Sequence, residues 1–150
     1  MTAATAEATT IDITVERTIP ASPAEVFDAW LDPKSPSNPW NQNLKLILDP
    51  TVGSLFYWLT TNGKGAEVAH YGLFTDVQRP HRLQHTWMSP NTNGVESVVT
   101  VTLTEQGDDT LFTLQHTGLP SEQAAKGHTG GWNHFLDGFS NVFPARAAKA

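Results

Sequence analysis

Residues 121–143 read SEQAAKGHTGGWNHFLDGFSNVF, and this stretch decides the fold. Trp132, Phe135, Leu136, Phe139, Val142 and Phe143 recur at helical spacing and so line one face of a helix. Pro120 and Ser121 mark its start, with Ser121 as N-cap and Glu122 in the first turn. Pro144 marks its stop. A helix this apolar needs a covering surface. Gly127, Gly130 and Gly131 interrupt the first half, each weakening a helix by about 1 kcal/mol relative to alanine. The sequence therefore predicts a first half that is loose or closely approached by another group, and a second half that is firmly packed.

The covering surface lies upstream. Ile11, Ile13 and Val15 alternate with Asp12, Thr14 and Glu16, which predicts a strand over 11–19. Ser22, Pro23 and Glu25 then form a helix start with a capping box and an N1 proline. Val26, Phe27, Trp30 and Leu31 supply the buried face of this helix, which should stop before Asp32-Pro33. Residues 34–41 hold two more prolines, so any second helix there is a single turn carrying Trp40. The period then changes to two. Strands are predicted over 44–48, 54–60, 66–77, 83–88, 95–103 and 110–117. Short turns rich in Gly, Asn, Asp and Pro separate them, so successive strands are antiparallel neighbours in a meander.

The chain has 150 residues, enough for one domain with a substantial core. It contains no cysteine, which excludes disulfides, thiolate metal sites and thiol catalysis. Nine basic residues stand against 15 acidic ones, a net charge of -6 with no basic patch, which argues against nucleic-acid partners. Residues 1–10 lack both a basic start and an apolar stretch and read as a disordered lead-in, neither signal peptide nor membrane span. The expected layout is a single domain over 11–143 with a tail at 144–150, in the cytoplasm.

Strand, helix, six strands, long helix is the order of the START-like (SRPBCC) helix-grip superfamily, which the chain resembles. Within it, the chain is similar to the family named after the homologue of the activator of heat-shock-protein-90 ATPase, in a single-domain form. The resemblance rests on Ile19-Pro20-Ala21-Ser22-Pro23-Ala24-Glu25-Val26-Phe27-Asp28-Ala29-Trp30 and Arg79-Pro80-His81-Arg82-Leu83 with Thr86-Trp87. It extends to Glu96-Ser97-Val98-Val99-Thr100-Val101-Thr102-Leu103, His116-Thr117-Gly118-Leu119 and Gly131-Trp132. It covers residues 11–143 and departs at 34–41, where a more regular short helix is usual. It implies an α+β fold: a curved antiparallel meander of about seven strands wrapped round a long C-terminal helix, with one or two short helices after strand 1.

Pairing each hairpin about its turn gives a register. Phe74 falls opposite His85, and Gly72 opposite Trp87. Trp87 pairs with Ser97 and His85 with Val99. Further along, Val101 pairs with Leu114, Val99 with His116 and Ser97 with Gly118. Trp58 pairs with His70 and Phe56 with Gly72. Three rows follow on the inner face: Leu83, Val101, Leu114; then Phe74, His85, Val99, His116; then Phe56, Gly72, Trp87, Ser97, Gly118. The small residues of the third row predict unfilled room beside Trp87, an apolar hollow under the glycines of the helix.

Phe56, Trp58, His70, Gly72, Trp87, Ser97, Trp132 and Phe135 are thus the expected ligand-binding residues. His85 and His116 are the candidates for proton transfer, against the alternative of neutral, hydrogen-bonded inner-face histidines. Ser97 cannot be paired with Glu96, because adjacent strand residues face opposite ways. No Gly-x-Ser-x-Gly elbow, phosphate loop or His-x-x-x-His metal pattern appears, so no cofactor and no metal are expected. The leading expectation is binding of one small hydrophobic or aromatic ligand. The alternative is cofactor-independent acid–base chemistry of the cyclase or lyase kind in the same cavity, which related folds host. Stimulation of a chaperone ATPase ranks last, because the eukaryotic activators pair this domain with another. A homodimer stays open, since no exposed apolar edge is legible.

Overall fold

A computed structural model describes residues 10–32 and 38–143. Residues 1–9 of the lead-in, the Pro33 stop, residues 34–37, the Pro144 stop and the tail at 144–150 lie outside the described residues. The elements are β1 (Ile11–Ile19), α1 (Pro23–Trp30), β2 (Lys45–Leu48), β3 (Leu55–Thr61), β4 (Glu67–Gln78), β5 (Arg82–Trp87), β6 (Ser97–Gln106), β7 (Asp109–Leu119) and α2 (Glu122–Ser140). The sheet is antiparallel and seven-stranded, in the order β1-β7-β6-β5-β4-β3-β2. This is the α+β helix-grip arrangement, with α2 packed across the inner face.

The inner rows form as the hairpin turns dictate. Phe74 pairs with His85, Trp87 with Ser97, Val99 with His116, Val101 with Leu114 and Trp58 with His70. The core then closes around Trp30. Its ring centroid lies 5.3 Å from Trp40, 4.9 Å from Phe112 and 5.1 Å from both Phe135 and Phe139. Each of these large side chains contributes about 1.5–3 kcal/mol by leaving water, so the second half of α2 is firmly held.

Ser22 caps α1 through the Glu25 N–H at 3.3 Å, and its hydroxyl in turn donates to the Glu25 carboxylate at 3.0 Å. The far end of α1 is tied down by Asn38, which is fully buried. Its amide donates to the carbonyls of Ala29 at 2.6 Å and Asp32 at 3.2 Å, while its oxygen accepts from the Trp40 N–H at 2.9 Å. That bond opens a 3-10 turn, Pro39–Asn41, which places Trp40 in the core.

Three expectations need correction. First, α2 ends at Ser140 rather than running through Phe143. The chain tightens there, with the N–H of Val142 bonding to Phe139 O at 3.0 Å and that of Phe143 to Ser140 O at 3.1 Å. Second, of the two alternatives for the first half of α2, close approach is excluded at Gly127, Gly130 and Gly131. A Cβ at any of them would meet nothing within 4 Å, whereas one at Gly138 would stand 3.2 Å from the Pro39 ring. Third, apolar side chains do remain on the outer face near the β2 edge. Leu55 (42% exposed) pairs with Leu73 (49%), and Ile47 and Tyr71 flank Tyr57. None of the described helices is long and apolar enough to cross a membrane.

Candidate functional site

The hollow expected beside Gly72 and Ser97 is filled. The ladder slips between Phe74 and Asp76, and β5 comes so close to β4 that a Cβ at Gly72 would run into the Thr86 carbonyl. Gly72 is small because neighbouring backbone occupies the position of its side chain. Phe56 stacks on His85 at 4.9 Å and on Trp87 at 5.6 Å, completing the filling. Ser97 is buried and fully engaged, as described below.

Open space lies instead one layer nearer the helix. A cleft of ≈ 1220 Å³, open to solvent, runs between the sheet and α2, along the length of the helix. Trp58, His70, Trp87, Trp132 and Phe135 line it, as expected. Phe56, Gly72, Ser97, His85 and His116 stand behind its wall. The rings pack edge-on and tilted: Trp87 to Trp132 at 5.1 Å, Trp58 to Phe135 at 5.7 Å, and His70 to Trp58 at 5.0 Å and Trp87 at 5.1 Å. The indole N–H groups of Trp40, Trp58 and Trp87 are buried and meet no acceptor among the described residues. Gly127 and Gly131 leave the helical side of the mouth bare, while Gln42, Asn43, Asn91 and Asn93 form a polar rim.

His128 is the cleft residue that the sequence reading missed. Continuing the Trp132 period back by four residues would have found it. Its Nδ1 bonds the Ala124 carbonyl at 2.7 Å, and its ring meets that of His116 edge-on at 4.8 Å.

His116 is held on both sides. The Trp132 indole N–H donates to its Nδ1 at 3.0 Å, so Nδ1 carries no proton and Nε2 must. Nε2 then donates to Ser97 Oγ at 2.7 Å, and the Ser97 hydroxyl donates to the Trp87 carbonyl at 2.8 Å. Burial, with His128 and His85 nearby, pushes the His116 pKa down to about 3. His85 is buried between Phe56 and Phe74, its Nδ1 bonded to the Thr86 carbonyl at 2.9 Å, and burial pushes it down to about 4. Both histidines are neutral and lie outside the cleft, an arrangement that does not support proton transfer to a ligand by either. Burial likewise lowers the pKa values of His70 and His128. Among the described residues, no three His, Asp or Glu side chains are grouped to hold a metal ion.

Residues 20–143 match the family described as activator of Hsp90 ATPase homolog 1-like protein. The chain belongs to this family. Among solved structures, the Mll3558 protein of Rhizobium loti is 26% identical with a TM-score of 0.74, over 89% of this chain and 96% of that one. CalU16 of Micromonospora echinospora is 25% identical with a TM-score of 0.69, over 86% and 75%. PFC0360w of Plasmodium falciparum, described as an HSP90 activator, is 20% identical with a TM-score of 0.71, over 91% and 99%, a likeness of fold. A search of curated proteins finds no match.

Proposed function

We propose that this protein binds a small aromatic molecule in the cleft between the sheet and α2. The observation that carries the reading is the wall itself: Trp58, Trp87, Trp132 and Phe135 surround open space next to a well-packed core. Apolar walls with a few polar groups are the usual make-up of a small-molecule site. Enzymatic acid–base chemistry by His85 or His116 gains no support, since both lie outside the cleft. Binding is tested by titrating the protein with 2-methoxynaphthalene and following tryptophan emission, in the native chain and in Trp87→Phe. Saturable quenching that changes in the variant is expected. An unchanged spectrum from a folded protein would overturn the reading.

The family description and the Plasmodium falciparum neighbour favour a second reading, stimulation of a chaperone ATPase. Its test is ATP turnover by purified chaperone with and without the protein; no stimulation at stoichiometric excess would dismiss it.

A further inference from the structure

We infer that His70 and His128 together form an acceptor site for the hydroxyl of a flat hydroxyaromatic ligand, an inference that rests on the cleft being a ligand site. The two imidazoles come from its two walls, His70 from β4 and His128 from α2. They are 8% and 9% exposed, so each is more than nine-tenths buried. Nδ1 of His70 lies 3.1 Å from the Trp58 carbonyl oxygen, and Nδ1 of His128 lies 2.7 Å from that of Ala124. A carbonyl only accepts, so both Nδ1 atoms carry protons. A neutral imidazole holds one proton, which leaves Nε2 of each ring as a lone-pair acceptor. Among the described residues, no protein group bonds either Nε2. Burial holds both rings in the neutral form that accepts, and for His70 the nearby His128 acts in the same sense.

Flat rings lie beside these surplus acceptors. Trp58 and Trp87 flank His70, with ring centroids at 5.0 and 5.1 Å. A hydroxyl answers the acceptors, since its proton goes to an Nε2 lone pair. A carboxylate would set lone pairs against lone pairs, and an ammonium would lose its hydration among aromatic rings at high cost. The flat walls select a flat body for the hydroxyl to sit on.

The test is calorimetric titration of the full chain at neutral pH with 2-naphthol and with 2-methoxynaphthalene, which share a ring system and differ in the donor. The naphthol should bind about tenfold tighter, the worth of one buried hydrogen bond. In the double variant His70→Phe, His128→Phe the gap should close. If that variant does not fold, His128→Phe alone carries the assignment, and its gap must shrink. Equal affinity of the two compounds for the native protein would overturn the hydroxyl site and leave the cleft reading standing. Binding of neither would overturn both. A gap that persists in a folded variant would overturn the assignment to these histidines.

Discussion

The indole N–H of Trp132 on α2 donates to Nδ1 of His116 on β7 across 3.0 Å. That single bond orders every proton behind it, through Ser97 to the Trp87 carbonyl, and it fastens the helix to β7. Replacing His116 by leucine strands the indole N–H and leaves the buried Ser97 Oγ without the proton it accepts, though its hydroxyl keeps its bond to the Trp87 carbonyl. The expected loss is about 3 kcal/mol in urea unfolding. His116→Gln, whose amide can accept from Trp132 and donate to Ser97, should stay within about 1 kcal/mol of the native protein. Equal losses in the two variants would show that the bond contributes nothing beyond volume.

The buried histidines make stability depend on pH in a definite direction. In the unfolded chain an imidazole takes its proton near 6.5, whereas His85 and His116 in the fold hold out to about 4 and about 3. Above 6.5 neither state is protonated and the full stability is present. As pH falls below 6.5 the unfolded chain alone gains protons, so stability declines until the folded values are reached. By pH 5 each histidine should cost about 2 kcal/mol, with His70 and His128 adding in the same sense. Urea midpoints measured from pH 7 to pH 5 check this. His116→Gln should lower the proton uptake by about one, and a flat profile in the native protein would refute the account.

Gly72→Ala tests the close approach of β4 and β5. The added methyl would meet the Thr86 backbone, which cannot rotate away as a side chain can. A loss of about 3 kcal/mol or more, or failure to fold, is expected. A variant as stable as the native protein would mean that the strands relax freely there.

The helical glycines should respond in the opposite way. Gly130→Ala adds a side chain in open space on an exposed face, so the helix should gain about 0.5–1 kcal/mol. Gly131→Ala should gain as much stability while narrowing the cleft, and so weaken binding of 2-methoxynaphthalene. Thermal melts and titration of both variants separate the two effects. Undiminished binding in Gly131→Ala would place the ligand elsewhere.

The hairpin pairings were legible because turns such as Asn62-Gly63 and Gly107-Asp108 fix the register, and parity then fixes the face. What lies in the third row was not legible. Sequence shows that Gly72 is small but not that a slipped ladder has brought Thr86 into the space. Ser97 reads as a gap until its hydroxyl is seen spanning Trp87 and His116. His128 was missed because it breaks the apolar pattern of α2 while keeping its spacing. The four cleft-lining aromatics and His70 could be named because register and helical period place them without knowledge of their partners.

Gly127 and Gly131 have one more consequence, for how such a protein can change over generations. Their bare flank touches no core residue, so a mutation there alters what fits without disturbing what folds. Each added methyl would trim the opening in a small step and reinforce the helix as it did so. Gly138, with Pro39 against it, offers less room: a methyl there would push on the proline ring. The chain therefore separates a stretch where selectivity varies freely from a stretch where a change must also move a neighbour, within a single helix.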